Sequence, residues 1–335
     1  MAGSAPAAAS ADPAFTYRQF QKIYFFAFIN RTIYRKPSVT FEKKGGTLMQ
    51  RIIPEPLQKG DCAALIAPAS PPSREALVNA VKSVKYLGLE PVIMPSCTAE
   101  PVRTYLASTD MKRAADLTDA LADPNIKGIF CIRGGYGSMR MLQFIDFNDF
   151  IMHPKIILGS SDITCLLNAV HRHTGLVTFH APMPSADYTA CDETTLQSLN
   201  SALFDTVKYI NTFSKIYLPG IQSGHRVTGG NLSILCSMTG TPYEPDFSDS
   251  IVLLEDINEP LYKIDRMLTS LVSSGRLSKA YGVVFGSFTD CCRSSDDTAL
   301  LHEIQHETAK RAGLQAVICD YPSGHSFPSL TIPIG

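Results

Sequence analysis

The chain has 335 residues, 45% of them hydrophobic and 18% charged, with a formal net charge of −1 at pH 7. That length points to about two domains, and the apolar fraction suffices for a sizeable core. The near-neutral balance excludes a whole-molecule field that would draw the protein to nucleic acid or to an anionic membrane.

In chain order, residues 1–14 are rich in Ala, Ser and Pro, a composition expected to be disordered. Residues 15–48 are aromatic and basic without a clean period, so 1–48 reads as a disordered or atypical extension. Its apolar run IYFFAFI (23–29) falls far short of the roughly 18 residues a membrane span needs. It is also at the short limit for a signal peptide, and no small-x-small cleavage site follows.

From Met49 strand and helix signals alternate. CAALIAP (62–68) is an apolar run ended by Pro, and a helical pattern follows over about 73–87. EPVIMP (90–95) reads as the next strand. TDMKRAADLTDALA (109–122) reads as a helix with Thr109 or Asp110 able to cap it. KGIFCIR (127–133) is a strand running into a Gly-rich loop. KIILG (155–159) is a strand running into SSD, then the helix TCLLNAVHRHTG, which Gly175 stops. LVTFHAP (176–182) is another strand. This alternation predicts an α/β fold with a parallel sheet covered on both faces. After about residue 185 the rhythm changes. Short strands (IVLLE, GVVFGSF, AVICDY) mix with helices at about 260–274 and 297–312. The expected division is an N-terminal α/β domain at 49–190, a linker at 191–214 and a smaller C-terminal α/β domain at 215–335.

The nine cysteines (62, 97, 131, 165, 191, 236, 291, 292 and 319) are odd in number and scattered, with no CxxC pair. They read as free thiols in a reducing compartment, and the expected location is cytoplasmic.

Four stretches carry candidate chemistry. HEIQH (302–306) matches the zinc-peptidase helix word, in which two His one turn apart hold the metal. The sequence continues HETAKRA, without the Gly or third His of the extended form, and only Glu307 and Asp320 follow as carboxylates. Helix periodicity puts Leu301, Ile304, Thr308 and Ala312 on a packed side. His302, Glu303, His306 and Lys310 then fall on a polar side, which reads as a solvated face; no metal is expected. RGGYGSMR (133–140) could cradle a phosphate, allow a tight bend or present amides to an oxyanion. It lacks the last Gly of G-x-G-x-x-G, since position 140 is Arg.

IILGSSDITCLL (156–167) sets Ser residues between a buried strand and a helix start. There a hydroxyl is exposed beside helix N-terminal amides; a plain Ser/Asp cap explains the composition equally well. Ile163 stands where the α/β-hydrolase pattern G-x-S-x-G wants Gly. Finally, LLEDINE (253–259) ends an apolar strand in carboxylates, and DYPSGHS (320–326) sets His325 in a Gly/Pro loop. A strand-end Glu and a loop His serve a nucleophilic Ser only if they converge in space.

With these segments in order, nearly all of 54–335 resembles the LD-carboxypeptidase family. That family includes muramoyl-tetrapeptide carboxypeptidase and the related microcin C immunity hydrolases. The resemblance runs through PLQKGDCAALIAPASPP (56–72), YLASTDMKRAADLTDALADP (105–124), RGGYGS, G-x-S-D at 159–162, GGNL (229–232), GTP (240–242), LEDINEP, IDRML (264–268), GH (324–325) and TIPIG (331–335). It implies a Rossmann-like, glutamine-amidotransferase-like N-terminal domain and a smaller C-terminal one. The implied activity is a serine peptidase with Ser161 as nucleophile, His325 as base and Glu255 as the orienting carboxylate. The site would lie between the domains. The implied substrate is a murein tetrapeptide that loses its terminal D-Ala during cell-wall recycling, with no cofactor.

The amides of Gly135 and Asp162 are the expected oxyanion donors, and Arg133, Gly134 and Asn231 the expected substrate contacts. For Arg133 and Asn231 a loop-bracing role competes with that one. No nucleic-acid or membrane partner is expected, and the assembly is expected to be a homodimer. Position 160 is Ser where the family has an aromatic or His, so Ser160 rivals Ser161 by eye, although the register favours Ser161. Residues 1–48 have no family counterpart. Relatives continue a strand or so beyond TIPIG, so the C-terminal domain is expected to be short at that edge. Two other readings compete: a microcin-immunity-like hydrolase of peptide–nucleotide conjugates, and a truncated, inactive peptide-binding module. The compact stretch between His180 and Val227 favours the peptidase over the former.

Overall fold

A computed structural model describes residues 38–44, 47–221 and 224–335. The expectations for 1–37 lie outside the described residues. Within the supposed extension, β1 (Ser38–Lys44) pairs antiparallel with β2 (Thr47–Ile53), so 38–44 and 47–48 lie in paired strands. The end of β2 is core: Ile52 and Ile53 are buried, and Ile52 exchanges backbone hydrogen bonds with Gly175 and Val177, each 2.9 Å.

The alternating region follows the predicted order: β3 (Cys62–Ile66), α1 (Arg74–Tyr86), β4 (Glu90–Ile93), α2 (Asp110–Ala122), β5 (Ile126–Cys131), short helices α3 (Ser138–Met141) and α4 (Asn148–Met152), β6 (Ile156–Gly159), α5 (Thr164–Thr174) and β7 (Thr178–His180). The helix ends have local causes. Ser73 caps α1 by accepting from Ala76 N, Thr109 caps α2 by accepting from Lys112 N, and Gly175 ends α5 in the left-handed region.

Next come α6 (Glu193–Phe204), α7 (Thr206–Tyr217), β8 (Arg226–Asn231), α8 (Leu232–Met238), β9 (Ser250–Ile257), α9 (Leu261–Ser273), β10 (Gly282–Thr289), α10 (Ser295–Ala312), β11 (Ala316–Ile318) and β12 (Ile332–Ile334). The stretch 191–214, expected as a linker, is therefore mostly helical. Asp192 starts it by capping α6 through Thr195 N.

The larger sheet has the order β12-β7-β6-β5-β3-β4 and is parallel except for β12, which runs antiparallel to β7. The smaller sheet, β11-β10-β9-β8, is parallel throughout. The chain's last strand thus returns to the first sheet. Gly335 N also donates to Val227 O at 2.8 Å, tying that strand to β8.

The central strands are buried on both faces, which is why β3, β6 and the first part of β9 read as apolar runs. In β3, Ala64 and Ile66 pack into one apolar cluster and Ala63 and Leu65 into another. In β9, Val252 and Leu254 join the first cluster, and Ile251 and Leu253 the second. Each cluster therefore spans both sheets, and residues 37–335 form one compact unit. Among the described residues, no helix is long and apolar enough to cross a membrane.

Candidate active site

The site is built on the turn between β6 and α5. Gly159 ends the strand; a Cβ there would come within 2.6 Å of the Ile163 side chain, so the turn needs Gly. Ser160 is extended and buried. Ser161 follows with φ +58°, in the left-handed region that side chains other than Gly rarely occupy. Backbone strain of this kind costs on the order of 1–3 kcal/mol and collects at functional sites. It turns Ser161, not Ser160, into a cleft of about 440 Å³ that His325, Arg133, Gly134 and Gly135 also line.

The opposite partners come from the second sheet. Glu255 sits near the end of β9, fully buried, and its Oε2 lies 2.7 Å from His325 Nδ1. Glycine makes this approach possible. A Cβ on Gly324 (φ +137°) would meet Ser287 Oγ at 2.3 Å and Glu255 Oε2 at 3.0 Å. The His325 loop is pinned at both ends. Ser287 N donates to Ser323 O at 2.8 Å from β10. On the far side Ser329 N donates to Thr195 Oγ1 at 2.8 Å and Thr331 N to Ser198 Oγ at 2.9 Å. Helix α6 is thus the anchor of the histidine loop, a role that sequence reasoning missed.

Burial works against the charged form of His325. Its hydrogen bond to Glu255 and that carboxylate's charge outweigh burial and hold the imidazole above its ordinary value. Burial likewise raises Glu255, against the opposing pull of His325. A second histidine, His180, lies behind this pair at the end of β7. It is 1% exposed, and neither ring nitrogen has a hydrogen-bond partner. Burial, with the charge of His325 adding to it, pushes His180 down to about 3, so it is neutral.

The Gly-rich loop is fixed to the Ser161 turn from several sides. Ser138 N donates to Asp162 Oδ2 at 2.8 Å, and Ser138 Oγ donates to the Asp162 carbonyl at 2.5 Å. Fully buried Arg113 donates to the carbonyls of Pro68, Ser108 and Gly137 and pairs with Asp110, clamping the flanking loops together. Ser70 N donates to Gly134 O at 3.3 Å, while Ser70 Oγ accepts from Tyr136 N at 3.2 Å.

The two glycines have different places. Gly134 faces Ser161: a Cβ there would lie 2.8 Å from Ser161 Cβ, 2.9 Å from its Oγ and 3.2 Å from Asp162 N. Gly135 (φ +109°) is exposed in the cleft and backs onto Ser70. Arg133 also lines the cleft, with one contact to Pro71 O at 3.3 Å.

Asn231 does not line the cleft and is 3% exposed. Its Nδ2 donates to Asp256 Oδ1 at 2.9 Å, and its Oδ1 accepts from Ser233 Oγ at 2.7 Å and Ile234 N at 3.2 Å, capping α8. Both ends of the amide are thus engaged inside the fold, the arrangement that the competing loop-bracing role requires.

The zinc word lies elsewhere. On α10, Leu301, Gln305, Thr308, Ala309 and Ala312 are buried, while Glu303 and His306 face solvent. His302 Nε2 is 3.0 Å from Asp320 Oδ1, a surface pair. Among the described residues, no group of three or more His, Cys, Asp or Glu is arranged to hold a metal ion. All nine cysteines are free, and burial raises thiols such as Cys97 to about 12, which leaves them unreactive.

Comparison with known proteins gives one family across the chain. Residues 63–181 match the LD-carboxypeptidase N-terminal domain, and residues 224–335 match the LD-carboxypeptidase C-terminal domain. A probable murein peptide carboxypeptidase of Bacillus subtilis is 38% identical over 288 residues, covering 84% of this chain and 89% of the relative. The microcin C7 self-immunity protein MccF of Escherichia coli is 25% identical over 321 residues, covering 85% and 91%. The crystal structure of muramoyltetrapeptide carboxypeptidase from Oxalobacter formigenes superimposes with a TM-score of 0.69 at 28% identity, covering 82% of this chain and 92% of that one. The chain belongs to the LD-carboxypeptidase family.

Proposed function

We propose that this protein is a serine L,D-carboxypeptidase that releases the terminal D-Ala of murein tetrapeptides in cytoplasmic cell-wall recycling. The observation that carries the reading is the convergence at one cleft. Ser161, at a positive φ between strand and helix, shares that cleft with His325, whose Nδ1 is hydrogen-bonded to buried Glu255. In the proposed reaction His325 takes the Ser161 proton as Oγ attacks the carbonyl before the terminal residue. The imidazolium then returns the proton to the leaving amine, and water repeats the cycle on the acyl-enzyme. Glu255 fixes the tautomer and stabilises the imidazolium. The amides of Gly135 and Asp162 receive the oxyanion, and losing one such donor costs on the order of 100- to 1000-fold in kcat. Arg133 at the cleft wall suits the terminal carboxylate of the substrate.

Kinship with the self-immunity protein supports a second reading, hydrolysis of a peptide–nucleotide conjugate by the same residues. A fluorophosphonate probe tests what the two share. Wild type should label at Ser161 and Ser161→Ala should not; an unlabelled wild type would sink both.

A further inference from the structure

The first turns of α1 also line the cleft: Ser73, Glu75, Ala76 and Asn79 line it together with Ser161 and His325. Ser73 is occupied as the helix cap. Glu75 is solvent-accessible, and no hydrogen bond or ion pair to its carboxylate is found among the described residues. Apart from the base itself, the cleft lining carries one fixed cation, Arg133, and one anion, Glu75. These two do not form a salt bridge with each other. A cleft lined by a serine, a guanidinium and a carboxylate that do not pair with each other fits a substrate carrying both charges.

We propose that Glu75 is a specificity-determining residue that selects a side-chain ammonium on the residue whose carbonyl Ser161 attacks. This deepens the carboxypeptidase reading and rests on it. A peptide anchored by its terminal carboxylate on Arg133 presents its scissile carbonyl to Ser161. Among the described residues, the acidic side chain that lines the cleft is Glu75, on α1. A lysine-like or ornithine-like side chain gains an ion pair there, a neutral one gains nothing, and an acidic one is repelled. Because Glu75 is exposed, the pair is screened by water and salt, which sets the preference at about 3- to 5-fold at low ionic strength.

The test uses the full chain carrying Ser161→Ala and fluorescent peptides ending in X-D-Ala, with X as L-Lys, L-norleucine or L-Glu. The Lys peptide should bind about 3- to 5-fold tighter than the norleucine peptide, and the Glu peptide weakest. Adding Glu75→Gln should erase the Lys preference, Glu75→Asp should retain it, and raised salt should shrink it. Equal affinity for Lys and norleucine peptides, or a preference that persists in Glu75→Gln, overturns the assignment. Wild type is assayed in parallel for cleavage of the Lys peptide. If it binds with the charge preference but never cleaves, the carboxypeptidase reading fails and the assignment of Glu75 stands.

Discussion

Asn168 Nδ2 donates to the Gly229 carbonyl at 2.9 Å, and Asn168 Oδ1 accepts from the Gly229 amide at 3.0 Å. One buried amide side chain thereby pairs with strand β8 as a strand would. Its remaining capacity goes to Thr164 O at 2.7 Å and Thr228 Oγ1 at 2.9 Å. Nearby, Asn231 N donates to Thr164 Oγ1 at 3.0 Å. The helix that follows Ser161 is thus locked to β8, which neighbours the strand that carries Glu255.

Asn168→Ala should leave the Gly229 amide and carbonyl unpaired in the interior, a loss of about 2–4 kcal/mol. Urea denaturation measures it. Asn168→Asp keeps the acceptor but loses the donor and sets a carboxylate against two carbonyls. Burial raises the new carboxyl in the folded state, so stability falls as pH rises. The variant should therefore lose more at pH 8 than at pH 5, whereas Asn168→Ala should show no such slope.

Gly134 is not among the positive-φ positions, so alanine fits its backbone. The added methyl would fall 2.9 Å from Ser161 Oγ and must push it aside. Displacing a nucleophile by about 1 Å costs on the order of 100-fold. Gly134→Ala should therefore lose at least about that much in kcat, and its melting temperature should fall, because Ser161 Cβ at 2.8 Å and Asp162 N at 3.2 Å can give way only with their backbone; steady-state kinetics and calorimetry read the two effects.

The His325–Glu255 bond makes a signed claim about pH. The base must be neutral to accept the Ser161 proton, and its folded value lies above the ordinary 6.5. The acid limb of kcat/KM should therefore lie above 6.5. Glu255→Gln removes the anion, moves that limb down and costs on the order of 10⁴-fold in rate, the size seen when a triad carboxylate becomes an amide. The same shift has a stability consequence: while Glu255 is ionised, the contribution of protonated His325 is present below 6.5 and is lost as pH rises through the folded value. An acid limb below 6.5 in the wild type would contradict this electrostatic account.

His180 has the opposite sign. Its folded value of about 3 lies below the ordinary 6.5, so the unfolded chain binds the extra proton and stability declines between those limits as pH falls. Both nitrogens are buried without partners, so His180→Phe removes a desolvation cost rather than a bond. That variant should be at least as stable as wild type at pH 7 and lose less stability on going to pH 4. Denaturant titrations at the two pH values decide it.

The sequence made the strands and the candidate site loops legible through local pattern. Strands buried on both faces read as apolar runs, and loops that must bend tightly beside a nucleophile need Gly at fixed places. RGGYGS, GSSD and SGHS therefore stood out, while HEIQH stood out by accident of spelling on a solvated helix face. What stayed hidden depended on long-range pairing. Asn168 is one polar letter in TCLLNAV, and only the fold brings Gly229 to it. Helix α6 looked like a linker because the partners that hold it, Ser329 and Thr331, lie more than a hundred residues away. Strand β12 seemed to belong to the second domain until its pairing with β7 returned it to the first sheet. Gly134 and Gly135 are the same letter, separated only by which of them faces Ser161.

The central claim is tested most directly by incubating the protein with muramoyl tetrapeptide and following the products by mass spectrometry. The account predicts loss of one D-Ala from the C-terminus with wild type and none with Ser161→Ala. An intact tetrapeptide with wild type, or equal release by Ser161→Ala, would contradict it.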